Sequence, residues 1–100
     1  MDLRIKGRSA IVTGGTRGIG RETARQFLEE GVRVTICGRN AETLERARAE
    51  LAKASGGEVH AVVADMMKEA DIARLVDSAK QRFGTIDILV NNAGWDQFAY

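Results

Sequence analysis

Apolar and polar positions alternate along this chain in two rhythms. Residues 9–13, Ser-Ala-Ile-Val-Thr, form a short β-branched apolar run stopped by Gly14-Gly15, the pattern of a buried strand. From Ile19 to Glu30 the rhythm is helical. Ile19, Thr23 and Phe27, with the adjacent Ala24 and Leu28, are predicted on one side, and Gly31 is placed to end the helix. Val32 to Cys37 reads as a second strand. Asn40 is placed to cap the next helix, which has Glu42 in its first turn. Leu44, Ala47 and Leu51 mark that helix's buried face, and Gly56-Gly57 stop it. Glu58 to Val63 reads as a third strand. Residues 69–83 carry Ile72, Leu75, Val76, Ala79 and Phe83 at helical spacing, before Gly84. Ile86 to Val90 is a fourth strand, broken at Asn91-Asn92-Ala93-Gly94.

Strands that alternate with helices predict parallel pairing through helical crossovers, which are right-handed. The expected fold is α/β: a Rossmann-like, doubly wound parallel sheet of strand order 3-2-1-4, truncated after the fourth strand. The first two helices should share one face and the third should cover the other. The winding reverses between strands one and four, where ligands bind in such sheets. The loops at that point, Gly14 to Gly20 and Asn91 to Gly94, are both unusual.

Composition narrows the setting. The chain has 100 residues, which is one domain's worth, and residues 1–100 are expected to form a single domain. A hydrophobic share of 44% argues against disorder. A formal charge of +1 excludes the basic footprint of a typical nucleic-acid binder. One cysteine excludes an internal disulfide and a zinc cage built from several cysteines. No apolar run approaches the roughly 18 residues of a membrane span, and Met1 to Lys6 has no signal-like apolar core. A cytoplasmic protein without a membrane partner is expected.

Thr13-Gly14-Gly15-Thr16-Arg17-Gly18-Ile19-Gly20 joins a strand to a helix with the spacing G-x-x-x-G-x-G. Gly14 turns the chain out of the strand, Gly18 lets backbone approach a pyrophosphate, and Gly20 lets the helix start close to the sheet. The helix start then offers N–H groups and a positive dipole end to phosphate oxygens. A Walker-type loop is excluded, because Arg21-Glu22 stands where Lys-Ser/Thr is required. A connector without a ligand is the other reading.

This octapeptide resembles the cofactor motif of the short-chain dehydrogenase/reductase family. Asn91-Asn92-Ala93-Gly94, after Asp87-Ile88-Leu89-Val90, resembles that family's second signature. Asp65, just past the third strand, matches the family's usual contact to the adenine ring. The three matches span nearly all of residues 8–94. The resemblance implies cofactor contacts at Gly14, Thr16, Arg17, Gly18, Ile19, Gly20, Arg39, Asp65, Met66, Asn91, Ala93 and Gly94, with the contact at Met66 made by backbone.

The acidic residue that holds an adenosine ribose normally ends the second strand. Gly38 stands there, with Arg39 after it and Arg17 in the glycine loop. Two guanidinium groups can bracket a 2′-phosphate through charge-assisted bonds. Basic residues at both positions also resemble NADP-preferring family members. NADP(H) is therefore expected over NAD(H), the alternative being two solvated arginines.

The family's chemistry, by resemblance, uses Ser, Tyr and Lys in a Tyr-x-x-x-Lys arrangement. The one tyrosine, Tyr100, lies too near the Asn-Asn-Ala-Gly motif and has no lysine four residues beyond. Ser55 and Ser78 match nothing catalytic, so no catalytic residue is carried over. Trp95 reads equally as a wall near the nicotinamide or as an exposed aromatic. His60 reads as a half-exposed residue of an edge strand, Cys37 as a buried small residue, and the charges at 45–50 as a solvated helix face. Met67 cannot cap the third helix, so a frayed start is expected there.

Three functions remain open. The first is an oxidoreductase that moves hydride between NADP(H) and a carbonyl or alcohol substrate, with this chain as its cofactor-binding half and inactive alone. The second is a non-catalytic NADP(H)-binding module. The third is a structural fragment. A methyltransferase of the same class would need an acid at Gly38. The uncovered apolar fourth strand predicts homo-oligomers or other self-association.

Overall fold

A computed structural model describes residues 4–92. The elements run β1 (Ser9–Thr13), α1 (Gly18–Glu29), β2 (Arg33–Gly38), α2 (Ala41–Ser55), β3 (Val59–Val63), α3 (Glu69–Phe83) and β4 (Ile88–Asn91). The four strands form one parallel sheet of order β3-β2-β1-β4. This is the expected doubly wound, Rossmann-like topology. β1 is wholly buried and lies between β2 and β4, in register from Ala10 opposite Ile88 to Thr13 opposite Asn91.

Alternate residues of each strand feed two cores, as the strand period of two requires. Ala10, Val12, Val34 and Ile36 pack beneath α1 and α2, with Ala24, Leu28, Leu44, Ala47 and Leu51. Ile11, Cys37 and Val62 pack on the other face against Leu75 and Ala79 of α3. Truncating a side chain as enclosed as Leu75 costs about 2–5 kcal/mol in such a core.

Two helix faces differ from expectation. In α1 the buried stripe is Gly20, Ala24 and Leu28, whereas Ile19 is 63% exposed and Phe27 is only partly buried. The cause is local. A Cβ on Gly20 would stand 2.1 Å from the Gly14 carbonyl oxygen, so the bare glycine is the point at which α1 meets the β1 turn. That contact rotates the helix one position from its most apolar face. In α3, Leu75, Ala79 and Phe83 are buried, but Ile72 is 37% exposed at the start of the helix.

The fourth strand begins at Ile88 rather than Ile86. Ahead of it, the Asp87 carboxylate accepts the Ser9 N–H at 2.9 Å and the Thr85 hydroxyl at 3.0 Å. These bonds tie the lower ends of β1 and β4 together and hold the Asp87 carboxyl below the usual carboxylate range, chiefly through the Ser9 N–H. Leu89, on the α3 side of the sheet, is 66% exposed. His60 is partly buried on the edge strand, with Nε2 2.8 Å from the Ser78 hydroxyl and its ring edge against Phe83. Burial, and then the charge of Arg82, lower its pKa.

Candidate functional site

The carboxyl ends of β1, β2 and β3 all open toward one edge of the sheet, because the strands are parallel. A cleft of about 940 Å³ lies there, walled by the glycine loop, the β2–α2 turn and the β3–α3 turn. It brings together Gly14, Thr16, Arg17, Arg39, Asp65 and Met66, six of the residues singled out in the sequence. Gly18, Ile19 and Gly20 form the first turn of α1 beside it. Asn91 ends β4 opposite Thr13 and does not line the cleft. Ala93 and Gly94, with Trp95 and Tyr100, lie outside the described residues.

The glycine loop is shaped for close approach. Gly18 has φ +62°, a conformation costly for residues with a side chain, and no atom lies within 4 Å of where its Cβ would stand. The start of α1 is bare. Its N-cap, Arg17, makes no side-chain cap bond, and no acid occupies the first turn. The free N–H groups and dipole of such a start favour an anion. The loop is tied to β4 through Thr13. Its hydroxyl donates to the Asn91 side-chain carbonyl at 2.9 Å and accepts the Asn92 N–H at 2.8 Å.

At the end of β2, Gly38 faces the Thr16 methyl, which would stand 3.1 Å from an added Cβ. No carboxylate occupies this position. Arg17 and Arg39 both line the cleft, and neither makes an ion pair or side-chain hydrogen bond among the described residues. Arg21 and Arg46 line it as well, and the sequence reading missed both. Arg46 belongs to the charged stretch expected to be solvated. It is exposed, but it sits on the first turns of α2, which point at the cleft. Its position one turn past Thr43, another lining residue, is the signal that could have found it. Arg21 is held by an ion pair to Glu50.

Cys37 lines the floor of the cleft. Burial pushes its thiol pKa up, and a backbone hydrogen bond from Gly14 only partly offsets this. A thiol kept protonated is a poor nucleophile, so Cys37 acts as wall rather than reagent. At the third wall, the Asp65 carboxylate accepts the Met67 N–H at 2.9 Å. The N-cap position of α3 falls to Lys68 rather than Met67. Lys68 gives no side-chain cap, but carboxylates do the work, with Glu69 and Asp71 in the first turn. The described residues contain no cluster of His, Cys, Asp and Glu able to hold a metal ion, and no helix long and apolar enough to cross a membrane.

A doubly wound sheet with a glycine-rich turn and an anion-receptive helix start defines a nucleotide-binding α/β protein. The short chain dehydrogenase profile matches residues 8–99, and the chain belongs to that family of oxidoreductases. It is 42% identical over 92 residues to glucose 1-dehydrogenase of Gluconobacter oxydans, covering 92% of this chain and 35% of that one. It is 45% identical over 96 residues to the NADP-dependent (R)-specific alcohol dehydrogenase of Lentilactobacillus kefiri, covering 94% of this chain and 36% of the relative. L-sorbose reductase from Gluconobacter frateurii, solved with NADPH and L-sorbose, superposes with a TM-score of 0.90 at 36% identity, covering 94% of this chain and 36% of the reductase. The chain thus spans about a third of the length of these relatives.

Proposed function

We propose that this chain binds NADP(H), in preference to NAD(H), in the service of hydride transfer between the nicotinamide and a carbonyl or alcohol carbon. The observation that carries the reading is the pairing of a bare α1 start with two guanidinium groups, Arg17 and Arg39, that have no partner among the described residues, on one cleft beside Gly38. The open space over Gly18 suits a pyrophosphate lying on the first-turn N–H groups. Arg17 and Arg39 would hold the 2′-phosphate, and Asp65 with the backbone of Met66 would face the adenine. Asn91, Ala93 and Gly94 would border the nicotinamide end. The bound cofactor would supply the hydride; the residues of this chain would orient it. The NADPH held by the sorbose reductase and the NADP dependence of the Lentilactobacillus relative agree with the assignment.

Equilibrium titration of the chain with NADPH and with NADH tests this. Each charge-assisted bond to the 2′-phosphate contributes roughly one to two decades of affinity. NADPH should therefore bind at least about ten-fold tighter than NADH, and Arg39→Ala should collapse most of that ratio. Equal affinities, or a ratio that ignores Arg39→Ala, would refute the preference.

A further inference from the structure

Asp71 makes a contact that helix geometry alone does not call for. From the first turn of α3 it reaches six residues back along the chain, and its Oδ2 accepts the Asp65 N–H at 2.7 Å. Arg74, one turn further on, donates to the Val63 carbonyl and lies 3.6 Å from Asp71 Oδ1. Two side chains of α3 thus grip the backbone on both sides of Ala64, where β3 ends and the cleft wall begins. Ala64 itself is fixed to β2 by donating its N–H to the Gly38 carbonyl at 3.0 Å. Within this frame the Asp65 side chain has little freedom. Its Oδ1 is committed to the Met67 N–H, and its other oxygen has no hydrogen-bond partner among the described residues.

We propose that Asp71 is a positioning residue for adenine recognition, holding the Asp65 backbone so that the spare Asp65 carboxylate oxygen faces the base, a reading that rests on the NADP(H) assignment above. A carboxylate oxygen only accepts. It welcomes the 6-amino group of adenine and repels the 6-oxo group of hypoxanthine. Asp71 therefore governs discrimination between those bases, although it touches neither. A residue that merely steadied α3 would weaken both dinucleotides alike.

The test measures dissociation constants of NADPH and of reduced nicotinamide hypoxanthine dinucleotide phosphate for the full chain, with helix content followed by circular dichroism. The wild type should favour the adenine form by about ten-fold or more, the worth of one bond to a charged acceptor. Asp71→Ala should bring the ratio near one. Asp71→Asn should give an intermediate ratio, because its neutral side-chain carbonyl accepts more weakly than a carboxylate. An unchanged ratio in either variant overturns the proposal, and Asp71→Asn decides alone should Asp71→Ala not fold. A wild type that binds NADPH without preferring it to the hypoxanthine form also overturns it, while the cofactor assignment stands. A wild type that binds neither dinucleotide overturns the cofactor assignment and this proposal together.

Discussion

Helices α1 and α2 leave the same edge of the sheet from neighbouring parallel strands, yet they begin in opposite ways. At α2, Asn40 accepts the Thr43 N–H at 3.0 Å and Glu42 sits in the first turn. At α1, Arg17 caps nothing and the first turn has no acid. The start of α2 is satisfied by its own sequence. The start of α1 leaves its donors to solvent or to a ligand, and two guanidinium groups without a partner among the described residues stand over the adjoining cleft. The difference separates a helix start capped by its own sequence from one whose donors stay open, the start proposed above to take an anion.

The strongest way to break the α1 side is Gly20→Ala. The new methyl would meet the Gly14 carbonyl, which is backbone and cannot swing aside. A loss of about 3 kcal/mol or more is expected, at or above the upper end for overpacking, measured by urea unfolding. A near-neutral outcome would mean that α1 does not depend on this approach.

Capping gives a smaller contrast. Asn40→Ala should cost about 1 kcal/mol, the usual worth of an N-cap. Arg17→Ala should leave unfolding free energy within about 0.5 kcal/mol, as for a surface site. Equal losses at the two caps would erase the distinction.

The smallest effect concerns pH. The start of α3 carries Asp71, held below the usual carboxylate range chiefly by the Asp65 N–H and next by the charge of Arg74, against the opposing effect of desolvation. A depressed pKa contributes stability that is complete above the unfolded value near about 4 and is lost as pH falls through the lower folded value. The stability gap between wild type and Asp71→Asn should therefore close on acidification below about pH 4. The gap between wild type and Asn40→Ala should not. Unfolding curves of all three proteins from neutral to acidic pH provide the check.

Much of this was legible in the sequence. The parallel pairing followed from the regular alternation of apolar runs and helical stripes, and the order from taking the sheet as Rossmann-like. The stops at Gly31, Gly56 and Gly84, and the Asn40 cap, were readable from local chemistry. The face of α1 was legible only in part, with Ala24 and Leu28 buried as expected but Ile19 exposed. Gly20 carries no apolar signal, and its burial comes from a backbone contact with Gly14 that no periodicity encodes. Arg46 was hidden because charge on a helix reads as solvent exposure, and only the direction of α2 brings it to the cleft. The Asp71–Asp65 bond spans six residues through a turn, outside any regular spacing.

The first turn of α1, and not that of α2, is proposed as the anion site. Amide NMR shifts during a titration with inorganic pyrophosphate test it directly. The largest saturable shifts should fall at the Gly18, Ile19 and Gly20 amides, with the Thr43 amide retained by Asn40. Shifts centred on residues 41–43, or no saturable shift at Gly18 to Gly20, would contradict it.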